Sequence, residues 1–284
     1  MFACSKNAAK VQQICDIHKP NFKKDQKGLC IYKTKAVILR RNIEKGNINM
    51  NLLEEVRCSI ENFLLSERRF FFNEKDLQVN LALYLMSKYT VHLEYHVPKN
   101  ELPQNGEHYP WSEKTLSIDI VVEKDGEYVP IELKYKTRSL PESAQIMRFG
   151  IPMDASTIIK NQSAHDIGRY AFWKDVRRLE QLNERFDKVV GGIAVFVTND
   201  ASYTATPHKQ NVGYFDFRMS TGSVIGGELF WKDANGAKVS LKSDHPRPHF
   251  HLDGHYLFGE WKSYKCGNIE MYYNMIIVEK KYEP

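Results

Sequence analysis

The chain has 284 residues, 42% of them hydrophobic and 26% charged, with a formal net charge of +5. That balance excludes a disordered or fibrous polymer and predicts one large folded domain or two smaller ones. No apolar run reaches the ~18–20 residues of a membrane span, the N-terminus lacks a secretion-signal core, and the five cysteines include no Cys-x-x-Cys pair; reduced thiols, a cytoplasmic location and no membrane partner are expected.

Residues 1–49 carry 11 Lys/Arg against 3 Asp/Glu, so the rest of the chain is net −3. This stretch reads as a basic, weakly patterned N-terminal arm, expected to be poorly ordered. A nucleic-acid footprint therefore has to be the arm or a local patch on the body. A helix pattern starts at Leu52-Leu-Glu-Glu-Val. Asn73 is placed to cap a second helix, with Asp76 three residues on and Leu77, Leu81 and Leu85 at helical spacing. Glu74 falls at the rim of that apolar stripe.

Two strands follow, Ser117–Glu123 and Tyr128–Tyr135, with Asp125-Gly126 between them as a hairpin signal. Glu132 and Lys134 are two apart and share one face, while Ile131 and Leu133 share the other. In the first strand Ile118, Ile120 and Val122 alternate with Asp119 and Val121, and antiparallel pairing can bring Asp119 beside Glu132 and Lys134. A second long helix is predicted over 164–185, with a core stripe of Phe172, Val176, Leu179, Leu182 and Phe186. Asp166, Arg169, Tyr170, Trp173 and Arg177 lie on its other faces. Gly191–Asp200 reads as a buried central strand. Beyond it come short aromatic strands at 213–217, 228–231, 249–252, 256–264 and 271–278. His245, His249, His251 and His255 cluster there, but Pro246 and Pro248 break the segment, so packing outweighs a metal site.

Two carboxylates and a lysine at one end of a hairpin have a definite chemical use. Mg²⁺ takes oxygen ligands and keeps several waters. Asp119, Glu132 and the Leu133 carbonyl supply such ligands and leave positions for phosphate and water. Lys134 can orient or help deprotonate that water, a task suited by partial desolvation that depresses its pKa.

Asp119, twelve intervening residues and Glu132-Leu-Lys134 resemble the PD-(D/E)XK superfamily of restriction-endonuclease-like nucleases. Ile118 stands where the nominal motif has Pro. The whole is also similar to an uncharacterised bacterial group of that superfamily. The resemblance implies an α/β fold: an αβββαβ core with a mixed central sheet flanked by helices. The core spans 50–200 and a β-rich C-terminal extension, 201–284, packs on it or continues its sheet. It implies Mg²⁺, with Mn²⁺ as substitute, held by Asp119, Glu132 and Leu133; catalysis by those two acids, Lys134 and Glu74; and polar groups from the second long helix, here Gln162, Asp166, Arg169 and Tyr170, toward substrate phosphate. The expected activity is phosphodiester hydrolysis, in DNA before RNA, in restriction, repair or defence. Homodimerisation stays open. The alternative is a catalytically inactive nucleic-acid- or protein-binding module on the same fold.

Overall fold

Two asparagines start the first two helices. Asn51 accepts a hydrogen bond from Glu54 N at 2.9 Å and Asn73 from Asp76 N at 2.9 Å, each satisfying an amide that the helix leaves without a partner. They open α1, Leu52–Ser66, and α2, Glu74–Leu85. The computed structural model describes residues 50–67, 70–98, 115–141, 144–162, 164–207, 209–210, 212–233, 235–239 and 248–280. The basic arm of residues 1–49 and His245 lie outside the described residues.

Three strands follow: β1, Thr90–Pro98; β2, Thr115–Lys124; and β3, Glu127–Lys136. Asp125 and Gly126 join β2 to β3 with φ of 55° and 80°, the two positive values that a tight hairpin turn of the right twist demands. A small hairpin comes next, β4, Gln145–Arg148, and β5, Ile151–Asp154, then the single turn α3, Ala155–Ile158. The long helix α4 spans His165–Arg185 and leads into β6, Gly191–Thr198. The C-terminal part adds β7, Val224–Leu229; β8, Trp231–Lys232; β9, Lys238–Val239; β10, Phe250–Leu257; β11, Lys262–Cys266; and β12, Ile269–Glu279. Residues 215–217, expected in a strand, form a 3₁₀ turn. There Asp216 accepts from Phe230 N and pairs with Lys232, so a side chain takes the place of a strand partner. The expected strand 256–264 is divided between the end of β10 and the start of β11.

The central sheet is mixed and six-stranded, in the order β1-β2-β3-β6-β12-β11. β6 runs parallel to β3 and every other pair is antiparallel. β6 is buried along its whole length, so its apolar run serves both faces. On one face α1 and α2 cover Val129, Ile131, Leu133, Tyr135, Ile193 and Val195. On the other, Phe172, Val176 and Leu179 of α4 pack on Ala194 and Phe196, joined by Phe217, Trp231, Phe250 and Phe258 from the C-terminal part. Gly192 lets α4 come this close, because a Cβ there would meet Leu179 at 2.9 Å. β12 and β11 extend the sheet beyond β6, so residues 51–284 make one compact unit. No helix among the described residues is long and apolar enough to cross a membrane.

Candidate active site

The site lies where β2 parts from β3. Their ladder runs from the turn only as far as Ile120 opposite Ile131. On its other side, β2 pairs with β1 through Leu93–Ile120 and Tyr95–Ile118, and the ladder passes over Glu94 and Asp119. Glu94 has φ 49° there, a conformation rare outside glycine. The irregularity turns the strand over. Ile118 joins the core beneath α4, whereas Ile120 joins the core beneath α1 and α2, although residues two apart in a regular strand share a face. The regular alternation expected through Ile118, Ile120 and Val122 is thus broken at Asp119. Gln78 of α2 fixes the break, its buried amide donating to Asp119 O at 2.5 Å and to Glu94 Oε1 at 2.9 Å.

The parting opens one edge of β3, and two carboxylates take over the work of the missing carbonyls. Asp119 Oδ2 accepts from Leu133 N at 2.7 Å. Glu74 Oε2, at the start of α2, accepts from Tyr135 N at 2.8 Å. Both amides are buried and require a partner. Glu74 and Asp119 therefore stand along the same stretch of strand.

Glu132 and Lys134 project from β3 toward α4. Glu132 is buried, and its Oε1 makes no hydrogen bond; Arg178 Nη1 pairs with it at 3.4 Å. Lys134 Nζ pairs with Asp175 Oδ2 at 2.7 Å and donates to Leu133 O at 3.2 Å. Arg178 also pairs with Asp175 at 3.2 Å and donates to Ser117 O at 2.7 Å. Four acids, Glu74, Asp119, Glu132 and Asp175, thus share one patch with two cations, Lys134 and Arg178, and Lys136 lies nearby at the rim.

Burial raises the pKa of Glu132 well above the usual carboxylate range, against the pull of Arg178. Burial also raises Asp119, with the Leu133 amide and Lys134 opposing it. Lys134 departs from the expected depression. Burial does push it down, but Asp175, Glu74 and Glu132 outweigh burial and raise it. At Lys136 burial prevails over the pull of Glu74 and the pKa falls.

The α4 residues expected at the phosphate do not join this group. Arg169 is buried, donates to Ser202 O at 2.7 Å and lies over the rings of Tyr203 and Tyr214. Tyr170 donates to Pro248 O at 2.9 Å and stacks on Trp231. Gln162 lies exposed ahead of α4, and Asp166 is half-buried in its first turn. The α4 side chains that reach the site are Asp175 and Arg178. Asp175 had a visible signature: three residues after Phe172 and four before Leu179, it is an acid inside the apolar stripe. Of the C-terminal histidines, His249 stacks on Phe230 and His251 pairs with Glu228.

The donor set suits a hard cation: Asp119, Glu132 and the Leu133 carbonyl are oxygen ligands, and Glu132 Oε1 is a buried acceptor without a hydrogen bond. The side chains are not gathered into a ligand shell, since among the described residues no three His, Cys, Asp or Glu groups converge in metal-holding geometry. No protein-family model, curated protein or solved structure matches the chain.

Proposed function

We propose that the chain is a Mg²⁺-dependent nuclease of the PD-(D/E)XK type that hydrolyses phosphodiester bonds in DNA. One observation carries this reading: Asp119 and Glu132-Leu-Lys134 meet on adjacent strands where β2 leaves β3, within a succession of helix α2, strands β1 to β3, helix α4 and parallel strand β6. Asp119, Glu132 and the Leu133 carbonyl would hold the ion, with Mn²⁺ able to replace it. When bound, the ion supplies Lewis acidity and lowers the pKa of a water. Asp119 is already oriented by the Leu133 amide. Lys134 pairs with Asp175, and its part would be to hold a water and the phosphate charge by donating hydrogen bonds. Glu74 is fixed on the Tyr135 amide, at hand as an auxiliary acid.

A second reading, a binding module without catalysis, has one observation in its favour. Arg178 and Lys134 already pair with Glu132 and Asp175, and a buried charge that has a partner does not need a metal to offset it. Mn²⁺ titration by calorimetry separates the two. The nuclease reading requires binding that Asp119→Ala abolishes; no binding, or binding indifferent to that change, leaves the module.

A further inference from the structure

Between β3 and α4 the chain makes an excursion that the site does not use. β4 and β5 pair from Gln145–Asp154 to Arg148–Ile151 and turn over Phe149-Gly150. The two turn residues have φ of 51° and 78°. Glycine adopts such a conformation freely, but a phenylalanine is strained in it, and Asn or Asp is the usual first residue. The Phe149 ring is fully exposed, with Met147, Ile151 and Met153 exposed by 59%, 58% and 40%.

The root is firm where the tip is bare. Ala155 N donates to Ala144 O and Gln162 N to Thr137 O, both at 2.9 Å. Leu140, Ala155 and Ile159 form a small core with Phe70 and Phe72. The Arg148 guanidinium lies 3.4 Å from the centroid of the Phe72 ring. Phe72 directly precedes the Asn73 cap and Glu74, so the hairpin is anchored on the helix that brings Glu74 to the site. The excursion is also locally basic in a body that is net negative. Residues 137–162 hold Arg138, Arg148 and Lys160 against Glu142 and Asp154, and Asp154 is engaged in capping α3 at Ser156.

We propose that this hairpin is a wedge that stacks Phe149 on a nucleobase at a distorted or unpaired position in DNA, an inference that rests on the nuclease reading above. A ring at the tip of a two-residue turn offers its faces to any base, and stacking is tolerant of sequence. Apolar side chains pushed between base steps are a known means of holding bent or unstacked DNA, and the flanking cations attract phosphate. A second copy of the chain suits the tip less well. A stable contact needs about 800 Å² per partner, and Met147, Ile151 and Met153 are already about half covered.

A duplex carrying 2-aminopurine opposite an abasic position, titrated with the full chain in EDTA, reads stacking without cleavage. Phe149→Asn removes the ring and suits the turn, so its melting temperature should match or exceed the parent's. Its affinity should fall roughly ten-fold and the 2-aminopurine signal should vanish, while Phe149→Trp keeps both. Equal affinity and signal for Phe149→Asn overturn the wedge, as does a parent that binds no DNA in EDTA. A parent that binds through Phe149 but never cuts with Mg²⁺ keeps the wedge and removes the nuclease. A parent that cuts, with a Phe149→Asn variant that binds and cuts alike, removes the wedge alone.

Discussion

Asp119 has two jobs, and substitution can separate them. Its carboxylate satisfies the Leu133 amide and is proposed to ligate the ion. Asp119→Ala leaves that buried amide without an acceptor and should cost about 1–3 kcal/mol in urea denaturation. Asp119→Asn keeps an acceptor oxygen and should cost less than about 1 kcal/mol. Both should lower cleavage at least about a hundred-fold, the usual scale for losing one preorganised electrostatic group. Stability losses of equal size would mean that the hydrogen bond donated by Leu133 N is not what holds Asp119. Glu132 makes a pH-dependent prediction. Burial raises its folded pKa above the unfolded value of about 4.3. The folded chain then binds more protons than the unfolded chain, so the contribution of Glu132 is full below the unfolded pKa and falls as pH rises through the folded one. Glu132→Gln removes that titration. In the presence of EDTA, its stability relative to the parent should climb as pH rises above the unfolded value of about 4.3; a pH-independent difference would contradict the raised pKa.

At the scale of elements, much of the arrangement was readable in the residues and some of it was not. Asp125-Gly126 announced the β2–β3 turn, and both have positive φ; Gly126→Ala should cost about 1 kcal/mol or more by chemical denaturation, because alanine is strained at φ 80°. The Asn73 cap, the 52–66 helix and the buried 191–198 strand were equally plain, since each rests on local chemistry or periodicity. The face change at Asp119 was not. Period-2 reading assumes a regular strand, and nothing local to Ser117–Glu123 reveals that Gln78, far away in the chain, holds the irregularity open. The burial of Arg169 and Tyr170 is hidden from the sequence for a related reason. Arg169 and Tyr170 look available in sequence, but the aromatic C-terminal part buries them, and only the three-dimensional path of that part discloses it. Asp175 and Arg178 needed attention to charges inside the apolar arc.

The molecule as a whole joins the core and the C-terminal extension into one folding unit. β12 pairs with β6 through eight positions from Tyr272–Thr198 to Glu279–Gly191, and Phe217, Trp231, Phe250 and Phe258 complete the α4-side core. A chain ending at residue 200 should therefore lose its cooperative urea transition; a sharp transition in that fragment would show that the first 200 residues fold alone. Duplex, single-stranded and branched DNA, incubated with the full chain in Mg²⁺ or Mn²⁺, should be cut, and EDTA, Asp119→Asn or Lys134→Ala should each abolish the products. No metal-dependent cleavage of any of these DNAs, or cleavage that survives Asp119→Asn, would contradict the proposed chemistry of Asp119, Glu132 and Lys134.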